Sequence, residues 1–213
     1  VIYGRDIDLY VNRIHCYNPL TNETLAKMAD DIMEVTKDIL PDQKLDCVAY
    51  GCTSGTVAVG YDSIKKKINL AKPEAKVTTP ITSAVKALKV LGINKISIFT
   101  PYTKTINESV VDYFKKENII INSLTYFDID SDLDIGKVDE DYLFDVLSKI
   151  DLRDSDALFV SCTALPTLSI IDRLEKKLNK IILSSNQTLI WDTLKQINYK
   201  EKIEGFGKIF DVN

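Results

Sequence analysis

The chain of 213 residues has one histidine, His15, and only four cysteines, Cys16, Cys47, Cys52 and Cys162, none in a paired C-x-x-C spacing. That excludes the usual zinc ligand sets, so no metal site is expected. The cysteines are also too sparse for a disulfide scaffold, which points to a reducing, cytoplasmic setting. No apolar run is long enough to span a bilayer, and no signal-like N-terminus is visible. An excess of one charge is missing too. The net charge of −4 comes from interspersed groups, with no basic groove for nucleic acid or an anionic membrane. There is no G-x-G-x-x-G turn, no Walker loop and no Lys in a Schiff-base context, so any chemistry is expected to run without a cofactor. The sequence begins at Val1, not Met, and a further N-terminal stretch is expected ahead of it.

What is present is a core and a rhythm. At 45% hydrophobic the chain can bury a sizeable interior. Strand and helix patterns alternate throughout, which implies an α/β architecture with parallel sheets. Strands are expected over 7–14, 45–50, 76–79, 95–99, 119–126, 157–160 and 180–183. Helices are expected over 21–40, from the 51–55 turn to 69, and over 80–92, 103–118, 139–149, 166–178 and 186–196, with an acidic loop at 128–138. The halves read as two pseudo-symmetric lobes, 1–82 plus 185–213 and 83–184, the chain crossing near residue 82 and returning near residue 185.

The most informative feature is a repeated frame. Asp46-Cys47-Val48-Ala49-Tyr50-Gly51-Cys52-Thr53-Ser54 and Asp156-Ala157-Leu158-Phe159-Val160-Ser161-Cys162-Thr163-Ala164 both read as a buried strand ending in Cys-Thr-small. Each carries an Asp six residues before the Cys. A thiol at the carboxyl end of a strand, before a helix, lies where open α/β sheets bind ligands. The amide groups of a helix N-terminus would favour thiolate. One such Cys alone is more often a small buried hydrophobe. The duplication favours two thiols facing one small carbon acid. Thr53-Ser54-Gly55-Thr56 supplies hydroxyls and closely approachable N–H groups for a carboxylate. Thr163-Ala164 is a more apolar counterpart.

The remaining candidates are weaker. Tyr102 follows a strand and reads either as a hydrogen-bond donor to a substrate oxygen or as a packed loop residue. Asn186 reads first as a helix N-cap. Cys47 reads as core. Cys16 and His15 sit at a strand exit, where a Cys–His pair is open but a structural role is favoured.

Ala49-Tyr50-Gly51-Cys52-Thr53-Ser54-Gly55-Thr56, Thr79-Pro80-Ile81, Thr100-Pro101-Tyr102, Ser161-Cys162-Thr163-Ala164-Leu165 and Ser185-Asn186-Gln187 together resemble the aspartate/glutamate/hydantoin racemase superfamily. Within it they are similar to the branch of maleate cis–trans isomerase, arylmalonate decarboxylase and the ectoine-utilisation A protein. The resemblance implies two Rossmann-like (flavodoxin-like) lobes with the active site in the cleft between them, and neither metal nor cofactor. It implies Cys52 as nucleophile or base and Cys162 as acid or base on the opposite face. It implies Thr53, Ser54, Tyr102, Thr163 and Ala164 around the substrate carboxylate. The decarboxylase has Gly in place of the first Cys, and this chain keeps Cys52. The family places a strand and an Asn-bearing loop before the point where this sequence begins. It also has an Asn where Asp130, Ser131 and Asp132 stand here, and a carboxylate there would repel a dicarboxylate.

The expected function is a cysteine-dependent isomerase of a small carboxylic acid, with the enediolate held by backbone N–H groups and Tyr102. A two-thiol racemase, or a protein acting on or binding a ring-opened ectoine derivative, stays open beside it. The expected partner is a small carboxylate, with no nucleic acid or membrane, and the resemblance leaves a homodimer open.

Overall fold

The computed structural model describes residues 6–212. Its first part comprises α1 (Asn22–Lys27), α2 (Ile32–Lys37), β1 (Cys47–Ala49), α3 (Thr53–Val59), α4 (Tyr61–Ala71), β2 (Lys76–Thr78) and α5 (Pro80–Val90). β1 and β2 pair in parallel, Val48 opposite Val77. Ile64 and Ile68, one turn apart on α4, pack with Ile32, Val48, Tyr50 and Val77 in a small core. Pro80 opens α5 at its first turn, where its missing N–H has no intrahelical partner to lose.

The second part comprises β3 (Lys95–Thr100), α6 (Lys104–Lys116), β4 (Ile120–Tyr126), α7 (Asp132–Ile135), α8 (Glu140–Leu147), β5 (Ala157–Val160), α9 (Ile171–Leu178), β6 (Ile181–Ser184) and α10 (Ser185–Gln196). Its four strands are parallel, in the order β4-β3-β5-β6. Every residue of β5 is buried, as expected of an inner strand covered on both faces. Ile106, Val110 and Phe114 line the buried side of α6, and Phe114 meets Phe159 of β5 edge-on at 5.2 Å. α10 packs on α5 and also touches β1 and β2.

Several expected elements differ. Residues 7–14 form no strand, because the alternation has no surface to bury against: Leu9 is 66% and Val11 79% exposed. The 21–40 helix is interrupted by a 3-10 turn at Met28–Asp31 and ends at Lys37. The helix after Cys52 breaks at Gly60, whose φ of +87° no regular helix accommodates. The 128–138 loop contains α7, which Ser131 caps by accepting from the Asp134 N–H. The 166–178 helix starts only at Ile171; residues 163–170 are turns and loop.

That last difference separates the two cysteine frames. Cys52 is extended and caps α3, whereas Cys162 has φ +95° and leads into a loop. A Cβ-bearing residue there is strained, the kind of outlier that persists where surroundings over-determine it. Cys162→Gly should therefore be more stable than Cys162→Ala by roughly 1 kcal/mol. Urea unfolding of the two variants measures this. An Ala variant as stable as the Gly variant contradicts the strain.

Candidate functional site

The strand order of the larger sheet places its ligand crevice. From β3 the chain winds outward to β4; from β5 it winds the other way to β6, so the order reverses between β3 and β5. Open α/β sheets bind ligands outside the carboxyl ends of strands at such a point. Tyr102 follows β3 there, and Ser161-Cys162 follow β5. Tyr50-Gly51-Cys52 leave the carboxyl end of β1 in the smaller sheet.

Hydrogen bonds lock these loops together. The Thr53 hydroxyl donates to Ser185 Oγ at 2.8 Å, and the same oxygen accepts the Cys162 N–H at 3.0 Å. The Thr163 hydroxyl donates to the Gly51 carbonyl at 2.8 Å. Asn186 Nδ2 donates to the carbonyls of Thr163 and Leu165, at 3.0 and 3.4 Å, which shapes the loop after Cys162. Behind Tyr102, the Thr100 hydroxyl donates to Asn107 Oδ1, and Asn107 Nδ2 donates to the Tyr102 carbonyl at 2.9 Å.

The thiols are neutral at rest. Burial pushes Cys52 up, and the Gly55 N–H (3.2 Å from its sulfur) and Ser54 hydroxyl (3.9 Å) offset this only in part. The expected dominance of amide dipoles is thus corrected: desolvation wins. Cys162 is pushed up to about 12, first by burial and then by charge on Cys52 and Asp132, against hydrogen bonds from the Ala164 N–H and the Tyr102 hydroxyl. Charge on Cys52 also opposes ionisation of Cys16, Tyr50 and Tyr102. Cys16 rises to about 11, chiefly by desolvation. Asp132 raises Cys16, Cys52 and Cys162 alike. Its backbone N–H donates to Asn18 Oδ1 at 2.9 Å, which ties α7 to the segment carrying Cys16.

The structure brings Cys52, Cys162, Thr53, Ser54, Tyr102, Thr163 and Ala164 to this locus but divides their work. The hydroxyl protons of Thr53 and Thr163 are engaged in fixing loops. Tyr102, 1% exposed, accepts from Ser161 at 3.5 Å and donates to Cys162. Ser54 faces Cys52. Asn186 is not the helix cap; Ser184 is, in a capping box with Gln187. His15 is exposed and packs edge-on against Tyr17, with no Cys–His pair. Cys47 is the first residue of β1, half-buried near Thr78 and at the end of the strand opposite the crevice. Ser185 entered only within the Ser185-Asn186-Gln187 motif, with no role of its own, and Asn107 and Asn18 were not singled out from the sequence. Their partners are distant in the chain and leave no local pattern; only the Ser184-Ser185 pair at a strand-to-helix junction hinted at one.

Among the described residues, no three His, Cys, Asp or Glu side chains are grouped to hold a metal ion, and no helix is long and apolar enough to cross a membrane. Surface hollows at Trp191, Lys195 and Phe210, and at Thr125, Val146 and Lys149, contain no cysteine.

Comparison with known proteins agrees with this geometry. The chain is similar to a maleate isomerase of Geobacillus stearothermophilus, 24% identical over 89% of this chain and 78% of the relative. A maleate isomerase of Alcaligenes faecalis is 26% identical over 80% and 70%. An arylmalonate decarboxylase of Bordetella bronchiseptica is 26% identical over 63% and 57%. In fold, the chain superposes on a Nocardia farcinica maleate cis–trans isomerase variant carrying a covalently bound succinylcysteine intermediate. The TM-score is 0.88 at 18% identity, covering 98% of this chain and 87% of that one. A Pseudomonas putida maleate isomerase variant with maleate gives 0.83 at 21% identity, over 91% and 80%. The arylmalonate decarboxylase family profile matches residues 18–210. The chain therefore belongs to the arylmalonate decarboxylase family, in the branch of the Asp/Glu racemase-like superfamily that also contains maleate isomerases.

Proposed function

We propose that this protein is a cofactor-independent, cysteine-dependent isomerase of a small unsaturated carboxylic acid, acting as a maleate-like cis–trans isomerase with Cys52 as nucleophile. The observation that carries this reading is the juxtaposition of two thiols from different sheets, locked by Ser185 and Thr163. The relatives named for maleate isomerisation support it, as does the succinylcysteine recorded in the Nocardia protein.

The chemistry balances without a redox partner. Cys52 loses its proton to solvent, and the thiolate adds to one alkene carbon. A C–S bond forms, and the π electrons move onto the neighbouring carboxylate as an enediolate. The former double bond is now single and rotates. The electrons return, the C–S bond breaks, and the trans acid leaves with no net change of protons. Backbone N–H groups and the Ser54 hydroxyl beside Cys52 stabilise the developing charge. Cys162, held neutral, can lend a proton to the carbanionic carbon and take it back. Tyr102 orients that sulfur.

Cys52→Ala should abolish turnover of maleate to fumarate, followed by ultraviolet absorbance, while the circular dichroism spectrum is unchanged; retained turnover rejects the scheme. A two-thiol racemase would instead need both cysteines equally and would place solvent deuterium on the α-carbon of an amino acid substrate.

The raised thiol sets the pH dependence. If the thiolate is the reactive form, kcat/KM climbs from pH 7 past pH 9, because the Cys52 pKa lies above its ordinary 9.0. A plateau below pH 8 contradicts this. Asp132→Asn removes a charge that opposes ionisation of the thiols and repels a dicarboxylate. Its profile should shift to lower pH and its KM for maleate should fall. An unchanged profile and KM would remove Asp132 from the site.

Ser185→Ala leaves the Thr53 hydroxyl and the Cys162 N–H without their shared acceptor. A loss of about 1–3 kcal/mol in denaturant unfolding is expected, with kcat reduced more than KM is raised. Wild-type stability and kcat in this variant would show that the lock is dispensable.

A further inference from the structure

Two phenols border the thiols, and their hydroxyls differ. The Tyr102 hydroxyl accepts from Ser161 at 3.5 Å, and its interaction with Cys162 favours the thiolate there. Tyr50 lies two residues before Cys52. Its backbone is paired: the N–H donates to the Thr78 carbonyl and its own carbonyl accepts the Cys52 N–H, each at 3.0 Å. Its side chain is 6% exposed and packs in the small core with Val48, Ile64 and Ile68. Yet its hydroxyl is buried with no hydrogen-bond partner among the described residues.

That hydroxyl faces the nucleophile. A Cβ added to Gly55 would stand 2.8 Å from the Tyr50 oxygen and 2.9 Å from the Cys52 sulfur. A side chain at position 55 would collide with both atoms, so glycine there is what lets the phenol oxygen and the sulfur pack against one backbone position. A buried polar group without a partner destabilises a fold, and such groups in native proteins call for an explanation such as a catalytic role. Burial also keeps the phenol protonated, so what it offers is a donor.

We propose that the Tyr50 hydroxyl is a catalytic hydrogen-bond donor to the substrate, seated on an oxygen of the acid lying beside Cys52. The inference rests on Cys52 being the nucleophile and adds the group that receives charge on its side. As the sulfur adds, negative charge grows on the carboxylate nearest the attacked carbon. A fixed donor in a water-poor space strengthens as that charge grows. The two phenols then have separate tasks: Tyr102 holds Cys162, and Tyr50 holds the substrate.

Tyr50→Phe deletes one oxygen and keeps the packed ring. It should lower kcat/KM for maleate by on the order of 10- to 100-fold, mainly through kcat, with a thermal midpoint equal to or above wild type. A purely structural tyrosine would instead lower the midpoint and spare kcat. Succinate, which has no double bond to attack, reads the contact without chemistry. It should bind Tyr50→Phe more weakly than wild type in calorimetry. 3-Fluorotyrosine at position 50 of the otherwise unchanged chain should shift its fluorine resonance when succinate is added, which keeps the test open if the Phe variant does not fold. Unchanged kcat/KM in Tyr50→Phe, or an unmoved resonance with succinate bound, overturns the proposal. A wild-type protein that binds succinate through Tyr50 but does not isomerise maleate leaves the contact standing and rejects the reaction. One that does neither overturns both.

Discussion

The Ser185 hydroxyl is the point on which the site depends. It accepts from Thr53, just after the first thiol, and from the backbone of the second thiol itself. Thr163 closes the loop back to Gly51. Without these bonds, two sulfur-bearing loops from different sheets would have no fixed relation. Cys162 shows that the arrangement is imposed: its φ of +95° is one a β-carbon-bearing residue does not choose on its own. The two bonds to Ser185 are buried, so water does not compete for them and an unpaired partner there is correspondingly costly, whereas the Thr163–Gly51 bond is exposed. The lock thus stores backbone strain at Cys162.

Electrostatics follow from the same burial. Amide groups do point at both sulfurs, yet removal from water outweighs them, and neighbouring thiol and carboxylate charge adds to the rise. The resting site is therefore a neutral thiol pair beside two neutral phenols. Neutral donors suit a carboxylate ligand, and a thiol close to a second thiol can lose one proton far more easily than two. Asp132 adds to the rise at Cys16, Cys52 and Cys162.

Much of this was legible in the sequence, for identifiable reasons. The apolar runs at 47–49 and 157–160, each followed by Cys-Thr-small, marked the strand ends and both sulfurs. Pro80 at a helix start and the helical runs at 103–118 and 139–149 are local signals that survive into the structure. Local signals fail where tertiary partners decide. Residues 7–14 alternate but have no surface to cover. The loop at 163–170 looks helical beside Pro166, yet Asn186 holds its carbonyls elsewhere. Ser185 bonds a residue 132 positions away, which no window of sequence shows. The hydroxyls of Thr53 and Thr163, expected beside a carboxylate, donate to Ser185 and Gly51, partners that lie far away in the sequence.

The most direct test is to trap the sulfur–carbon bond. Cys162→Ser protein incubated with maleate, denatured, digested and mapped by mass spectrometry should carry a succinyl group on Cys52 and on no other cysteine. The adduct on Cys16 or Cys47, or an unmodified Cys52 in a protein that still consumes maleate, would contradict the account.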